Sequence, residues 1–161
     1  MYKKILLPLD GSDLSHQAIP HAIAVATGVC AEIILLQVID SVAHIISEAT
    51  PATIEPVPSG ELTVEIAEIA VEAQRQSARI NLDGAVAQIV AGGIDAACVS
   101  TEVVEGNASQ AIQDGVERLG CDLVIIATHG RSGIKRVLLG SVADYVARNT
   151  PTAAVLLIRP Q

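Results

Sequence analysis

Leu123-Val124-Ile125-Ile126-Ala127 is apolar without a break, and Thr128-His129-Gly130-Arg131-Ser132-Gly133-Ile134-Lys135-Arg136-Val137-Leu138-Leu139-Gly140-Ser141 follows it. An apolar run with no polar alternation suits a strand covered on both faces, as in a parallel sheet. Glycines then punctuate the chain, and Ser141 to about Asn149 reads as a helix. Strand, glycine-rich turn and helix in this order form half of a βαβ unit.

The same alternation extends in both directions. Downstream, Ala153–Ile158 is a further strand. Upstream, Lys4–Leu9 is the first strand. Ser15–Thr27 then carries Ala18, Ile19, Ala22, Ile23 and Ala26 on one helical face. Ser12 or Asp13 is its expected N-cap, Pro20 should bend it and Gly28 should end it. Glu32–Ile39 is the second strand, with an unbroken Ile33–Leu36 core. Ser41–Gly60 contains Pro51, Pro56 and Pro58 and reads as a mobile excursion with one short helical turn. Glu61 to about Ala91 is one long helix or two abutting ones, with Asn81-Leu82-Asp83-Gly84 as the weak point. Gly92-Gly93 closes it, and Ala97–Val104 is the third strand. Asn107 and Gln110 stand at capping-box spacing, opening a helix that ends near Gly120.

Strands alternating with helices over 161 residues imply one α/β domain, residues 1–161, with a doubly wound parallel sheet and helices on both faces. In such sheets ligands sit at the carboxyl ends of the strands, where the winding reverses. The segments just after strands therefore carry the functional information.

Composition narrows the classes. Trp and Phe are absent, so the core is built from Ala, Val, Ile and Leu. A net charge of −8 repels phosphate backbones, and base-stacking aromatics are missing, which argues against nucleic-acid binding. No apolar run approaches the roughly 18 residues of a membrane span, and Pro8 interrupts the N-terminal run too early for a signal peptide. Cys30, Cys98 and Cys121 are odd in number, widely spaced and set in apolar surroundings, as in reduced cytoplasmic proteins. The expected compartment is the cytoplasm, and the cysteines read as packing groups.

Two segments that follow strands stand out: Pro8-Leu9-Asp10-Gly11-Ser12 and Ala127–Ser141. In the second, Gly130 and Gly133 permit tight turns, and Arg131, Lys135 and Arg136 gather positive charge inside an acidic chain. Gly140-Ser141 starts a helix, whose free N–H groups and dipole suit phosphate. Two readings fit: a phosphate cradle, or a surface loop whose helix is capped by Ser141 with Asp144. Neither G-x-x-x-x-G-K-[ST] nor G-x-G-x-x-G after the first strand is present, which excludes the P-loop and the dinucleotide fingerprint.

At these residues the chain resembles the universal stress protein family, over its whole length. Tyr2-Lys3-Lys4-Ile5-Leu6-Leu7-Pro8-Leu9-Asp10-Gly11-Ser12 is similar to that family's first strand and loop, Gln37-Val38-Ile39 to the end of its second strand, and Val104-Glu105-Gly106-Asn107-Ala108 to its third strand and turn. Nucleotide-binding members carry G-x2-G-x9-G-[ST]. Gly130, nine residues, then Gly140-Ser141 match its last parts, and Ala127 replaces its first glycine. The resemblance implies a five-stranded sheet ordered 3-2-1-4-5, which brings both segments into one crevice. It further implies an adenine nucleotide, ATP, ADP or AMP, with Mg2+ held mainly by phosphate oxygens. Asp10 and Val38 would contact adenine, and Pro8 and Leu9 the base and ribose. Ala127, His129, Gly130, Arg131, Gly140, Ser141 and Val142 would surround the phosphates. Ala153–Ile158 would pair across a two-fold as a homodimer edge.

Plainer readings stand beside these. Asp10 is also a turn or cap residue. His16 and His21 read as helix-surface residues and His44 as a loop residue. Ser12 and Ser132 lack a Ser-His-Asp arrangement. Glu61, Glu65, Glu68 and Glu72 lie along one helical stripe and read as a solvated face. The leading function is a cytoplasmic nucleotide-binding stress-response regulator. The rivals are a slow ATPase or other ATP-using enzyme, for which no general base is readable, and a dimerisation module that binds no nucleotide.

Overall fold

The computed structural model describes residues 1–49, 60–128 and 139–159. Its elements are β1 (Lys4–Pro8), α1 (Asp13–His16), α2 (Ile19–Val29), β2 (Glu32–Ile39), α3 (Val42–Ala49), α4 (Gly60–Ala91), β3 (Val99–Glu105), α5 (Ala108–Leu119), β4 (Leu123–Ala127), α6 (Ser141–Asn149) and β5 (Ala154–Ile158). A single 3-10 turn, Ala96–Cys98, leads into β3. The five strands form one parallel sheet in the order β3-β2-β1-β4-β5. The winding reverses between β1 and β4, as expected.

Alternation along the strands explains the layers. Ile5, Leu7, Ile33, Leu35, Leu123 and Ile125 face one side, where α2 and α4 supply Ile19, Ala22, Ala26, Leu82, Ala85 and Ile89. Leu6, Ile34, Leu36, Val124 and Ile126 face the other, where α5 and α6 supply Ile112, Val116, Ala143 and Val146. The inner strands β1, β2 and β4 therefore carry runs that are apolar at successive positions, Ile5–Leu7, Ile33–Leu36 and Leu123–Ala127, because both of their faces meet helices. Small alanines on α2 and α4 let those helices sit close to the sheet. At the other face Cys121 is buried in the second core, and burial pushes its thiol up to about 11, with Asp122 adding to the rise and Lys4 and Arg118 opposing it.

The structure corrects three expectations. Ser15–Thr27 is not one bent helix. A one-turn α1 is capped by the Ser12 side chain, and α2 starts afresh at Ile19 with Pro20 in its first turn. Proline is favoured there, because the N–H it lacks has no intrahelical acceptor. Gly28 does not end α2 either. Val29 continues it onto the core, and Cys30 closes it at φ 55°, its N–H donating to the Ala26 carbonyl. Ser41–Gly60 is more ordered at its start than expected. Ser41 caps α3, accepting at Oγ from the His44 amide at 3.3 Å, and Val42 and Ile45 pack on Ile39, Val71 and Ala78. The rest of that expected excursion, 50–59, lies outside the described residues.

α4 runs unbroken from Gly60 to Ala91. Its expected weak point is a pinning point. His16 Nε2 bonds Asn81 Oδ1 at 2.7 Å, and Asn81 Nδ2 donates to Oε1 of buried Gln37 at 2.6 Å, so α1, α4 and β2 are tied through one amide. His16 is thus a partner in this network rather than a plain surface residue. Gly120 ends α5 at φ 67°, a conformation that glycine takes without penalty. Among the described residues no helix is long and apolar enough to cross a membrane.

Candidate functional site

A cavity of about 560 Å³ opens at the carboxyl end of the sheet, across the β1–β4 reversal. Its floor is apolar: Pro8 at the end of β1 and Leu9 just after it, Leu36 and Val38 on β2, Ile126 and Ala127 at the end of β4. Backbone bonds set these walls. The Leu9 amide donates to the Leu36 carbonyl at 2.9 Å, continuing the β1–β2 ladder past the strand end. The Gly106 amide donates to the Ile39 carbonyl at 3.0 Å, and Gly106 holds φ 131°, a turn open only to glycine at low strain.

The opposite rim is the start of α6. Thr128 is strapped twice: its amide donates to the Ile158 carbonyl at 2.8 Å, and its carbonyl accepts from the Gly140 amide at 2.8 Å. That double bond fixes the N-terminus of α6 over the end of β4. Gly140 is the N-cap residue, with extended backbone and no side-chain cap. The capping box expected of Ser141 with Asp144 is absent. Arg148 Nε donates instead to Asp144 Oδ1 at 2.9 Å. The first intrahelical bond runs from the Asp144 amide to the Gly140 carbonyl, so the amides of Ser141, Val142 and Ala143 find no acceptor among the described residues. Ser141, Val142 and Ala143 line the cavity, so these unpaired donors lie at its rim.

The polar side chains on the walls are few. Asp10 Oδ1 accepts from the Ser12 amide at 3.0 Å and from Ser12 Oγ at 2.6 Å, and the Asp10 amide donates to Ser15 Oγ at 3.4 Å. The turn reading of Asp10 is thus realised, and the residue lines the cavity as well. Asp40 is held by Gln74: its amide donates to Gln74 Oε1 at 3.0 Å, and Gln74 Nε2 donates to Asp40 Oδ2 at 3.1 Å. His44 on α3 stands between Asp40 at 3.8 Å and Glu48 at 3.5 Å. No Lys or Arg lines the cavity among the described residues.

The site residues expected from sequence converge here. Pro8, Leu9, Asp10, Val38, Ala127, Gly140, Ser141 and Val142 all line this one cavity. His129, Gly130, Arg131 and Gly133 lie outside the described residues. Sequence reasoning missed the α3 wall, Asp40, Ser41 and His44, and the turn Gly106-Asn107-Ala108 as lining. The signal for the first was Ser41 preceding Val42, Ile45 and Ile46 at helical spacing.

Comparison with known proteins agrees with this architecture. The profile of the universal stress protein family matches residues 1–159. Universal stress protein MJ0531 of Methanocaldococcus jannaschii is 30% identical over 161 residues, covering 100% of this chain and 85% of the relative. The solved structure of MJ0577 from the same organism superposes with a TM-score of 0.79 at 27% identity, covering 100% of this chain and 98% of that one. A universal stress protein in complex with cAMP shares the fold, with a TM-score of 0.64 at 23% identity over 98% of this chain and 96% of that one. So does one from Archaeoglobus fulgidus in complex with dAMP, with a TM-score of 0.63 at 16% identity over 98% of both chains. With the profile spanning nearly every residue and the 3-2-1-4-5 sheet in place, this chain belongs to the universal stress protein family.

Proposed function

We propose that this chain is a homodimeric stress-response regulator of the cytoplasm that binds an adenine nucleotide in the β1–β4 cavity. The observation that carries the reading is one chamber with an apolar floor and a rim of unpaired α6 amides. A volume of about 560 Å³ suits a nucleotide-sized ligand. The cAMP and dAMP held by relatives of this fold support the adenine class. In this reading the base lies against Leu9, Leu36, Val38 and Ile126, with Asp10 and main-chain groups of Val38 reading its edge. The phosphates meet the amides of Ser141, Val142 and Ala143.

The walls carry Asp10 and Asp40 and no strong cation among the described residues. A polyphosphate therefore needs more positive charge than the α6 dipole, and Arg131, Lys135 and Arg136 in the adjoining segment are its source in this reading. Mg2+ enters on the phosphate oxygens of ATP; no cluster of three or more metal-ligating side chains exists among the described residues to hold it alone. Titration calorimetry and native mass spectrometry with ATP, ADP and AMP test the proposal. One nucleotide per chain is the expected result. Failure of all three to bind at millimolar concentration would leave a dimerisation module without a ligand.

A further inference from the structure

α4 turns a second apolar face to solvent. Its buried face carries Ala67, Val71, Ala78, Leu82, Ala85 and Ile89. On the outward side Ile66, Ile69, Ala73, Gln76 and Ile80 are all exposed and follow each other at alternating spacings of three and four residues. Ile66, Ile69 and Ile80 are 58%, 65% and 68% exposed. Isolated surface isoleucines are ordinary. A stripe at heptad spacing is the seam by which helices pack on one another.

Charge along α4 selects the occupant. Glu65, Glu68 and Glu72 flank the isoleucine pair at the N-terminal side of the stripe, and all three are exposed. Arg79 lies beside Ile80 at the other side. It has no ion pair among the described residues, whereas Arg75 already binds Glu72 and Glu105. One helix therefore presents Ile66-Ile69 with carboxylates at one end, and Ile80 with a free guanidinium at the other. That pattern is complementary to itself when reversed. We propose that the outward face of α4 is a self-association surface, occupied by α4 of a second copy packed antiparallel about a two-fold near Ala73. Small Ala73 lets the helices approach at the axis. Ile66 and Ile69 of one copy meet Ile80 of the other, and each Arg79 meets the partner copy's glutamates. Such isologous contacts are the commonest way identical chains pair.

This surface is separate from the nucleotide cavity and from the β5 edge. α4 packs on α3, β2, β3 and α2, none of its outward residues Ile66, Ile69, Ala73, Gln76 and Ile80 lines the cavity, and β5 lies at the far edge of the sheet. Sedimentation velocity across micromolar concentrations tests it. Ile69→Glu/Ile80→Glu alters only exposed positions, and unchanged circular dichroism confirms the fold. It should weaken self-association at least about tenfold and remove one step of assembly. A charge swap then identifies the occupant. Arg79→Glu alone and Glu65→Lys/Glu68→Lys alone should each lose that step, because like charges then face each other at both ends. Mixing the two variants restores opposite charges at both ends and should restore the step. The proposal is overturned if Ile69→Glu/Ile80→Glu sediments as the wild type does, or if the mixture associates no better than either variant alone.

Discussion

Asp10 joins the turn to the cavity. Its carboxylate accepts two bonds from Ser12, and the residue lines the wall beside Leu9. In the proposed site it faces the exocyclic amino group of adenine. Guanine puts a carbonyl there, so two acceptors would face each other, at about 1–3 kcal/mol or more for a charged group. ATP should therefore bind at least about tenfold tighter than GTP. Asp10→Asn keeps an oxygen for the Ser12 donors but gives the base edge an N–H, so it should erode the preference for ATP while leaving the turn intact. Competition of both nucleotides for a fluorescent ATP analogue measures this, and equal competition by GTP in the wild type would show that the base is not read here. Cys121 makes a second case at this scale. Its thiol, raised by burial to about 11, stays neutral where an unfolded thiol ionises. Folded stability from this group is complete below the unfolded value near 9 and declines as pH rises toward 11. Exposed Cys30 should alkylate much faster than Cys121 at pH about 8, and mass spectrometry of iodoacetamide-treated protein reads the order directly.

Elements divide by how plainly the chain announces them. β2 and β4 are legible because burial on both faces demands unbroken apolar runs, and Ile33–Leu36 and Leu123–Ala127 supply them. Eight of the residues that line the cavity were expected: the strand ends and Gly140-Ser141 pointed to their segments, and the family resemblance named the residues. What misled was punctuation. Pro20 looks like a helix interior because alanines and isoleucines run through it, yet proline needs only a first turn. Gly28 looks like a stop, yet nothing crowds it and the helix gains Val29 in the core. α3 is obscured by the prolines that follow it, and with it the Asp40–His44 wall. The α6 N-terminus carries the sharpest element-level prediction. Gly140 has φ −61° and ψ 150°, which any residue adopts, so Gly140→Val introduces bulk without backbone strain. It should leave the fold intact and weaken ATP at least about a hundredfold. Unchanged affinity by calorimetry, with an intact circular dichroism spectrum, would move the phosphates elsewhere. Asn81→Ala tests the pin on α4. It strands the buried Gln37 oxygen and removes the His16 acceptor, for about 1–3 kcal/mol, or a melting point lower by roughly 2–10 °C in a chain of this size. An unchanged melting curve would mean that α4 is held by its apolar face alone.

The whole molecule has two ends, and they are protected unequally. β3, at one edge of the sheet, carries Glu102 and Glu105, each paired to an arginine. β5, at the other, is Ala154-Val155-Leu156-Leu157-Ile158, with Leu156 and Leu157 38% and 36% exposed and no charge until Arg159. An apolar, uncharged edge invites a partner strand. The hydrogen bonds tell which groups are available. The Ala154 amide donates to the Asp122 carbonyl, and the Ile158 carbonyl accepts from Thr128, so residues 154, 156 and 158 turn their backbone toward β4. By alternation, Val155 and Leu157 turn theirs to the open edge. Leu157→Pro thus removes an outward donor and keeps the β4 ladder, at the cost of some strain from its fixed φ. It should abolish pairing through β5 and leave a folded chain. Combined with Ile69→Glu/Ile80→Glu, it should give monomers, since the β5 edge and the outward face of α4 are then both blocked. Sedimentation of the three variants beside the wild type separates the contributions. A wild type that is monomeric at micromolar concentration would remove the β5 dimer, and a Leu157→Pro variant with the wild-type assembly state would show that the edge is closed by something other than its own copy.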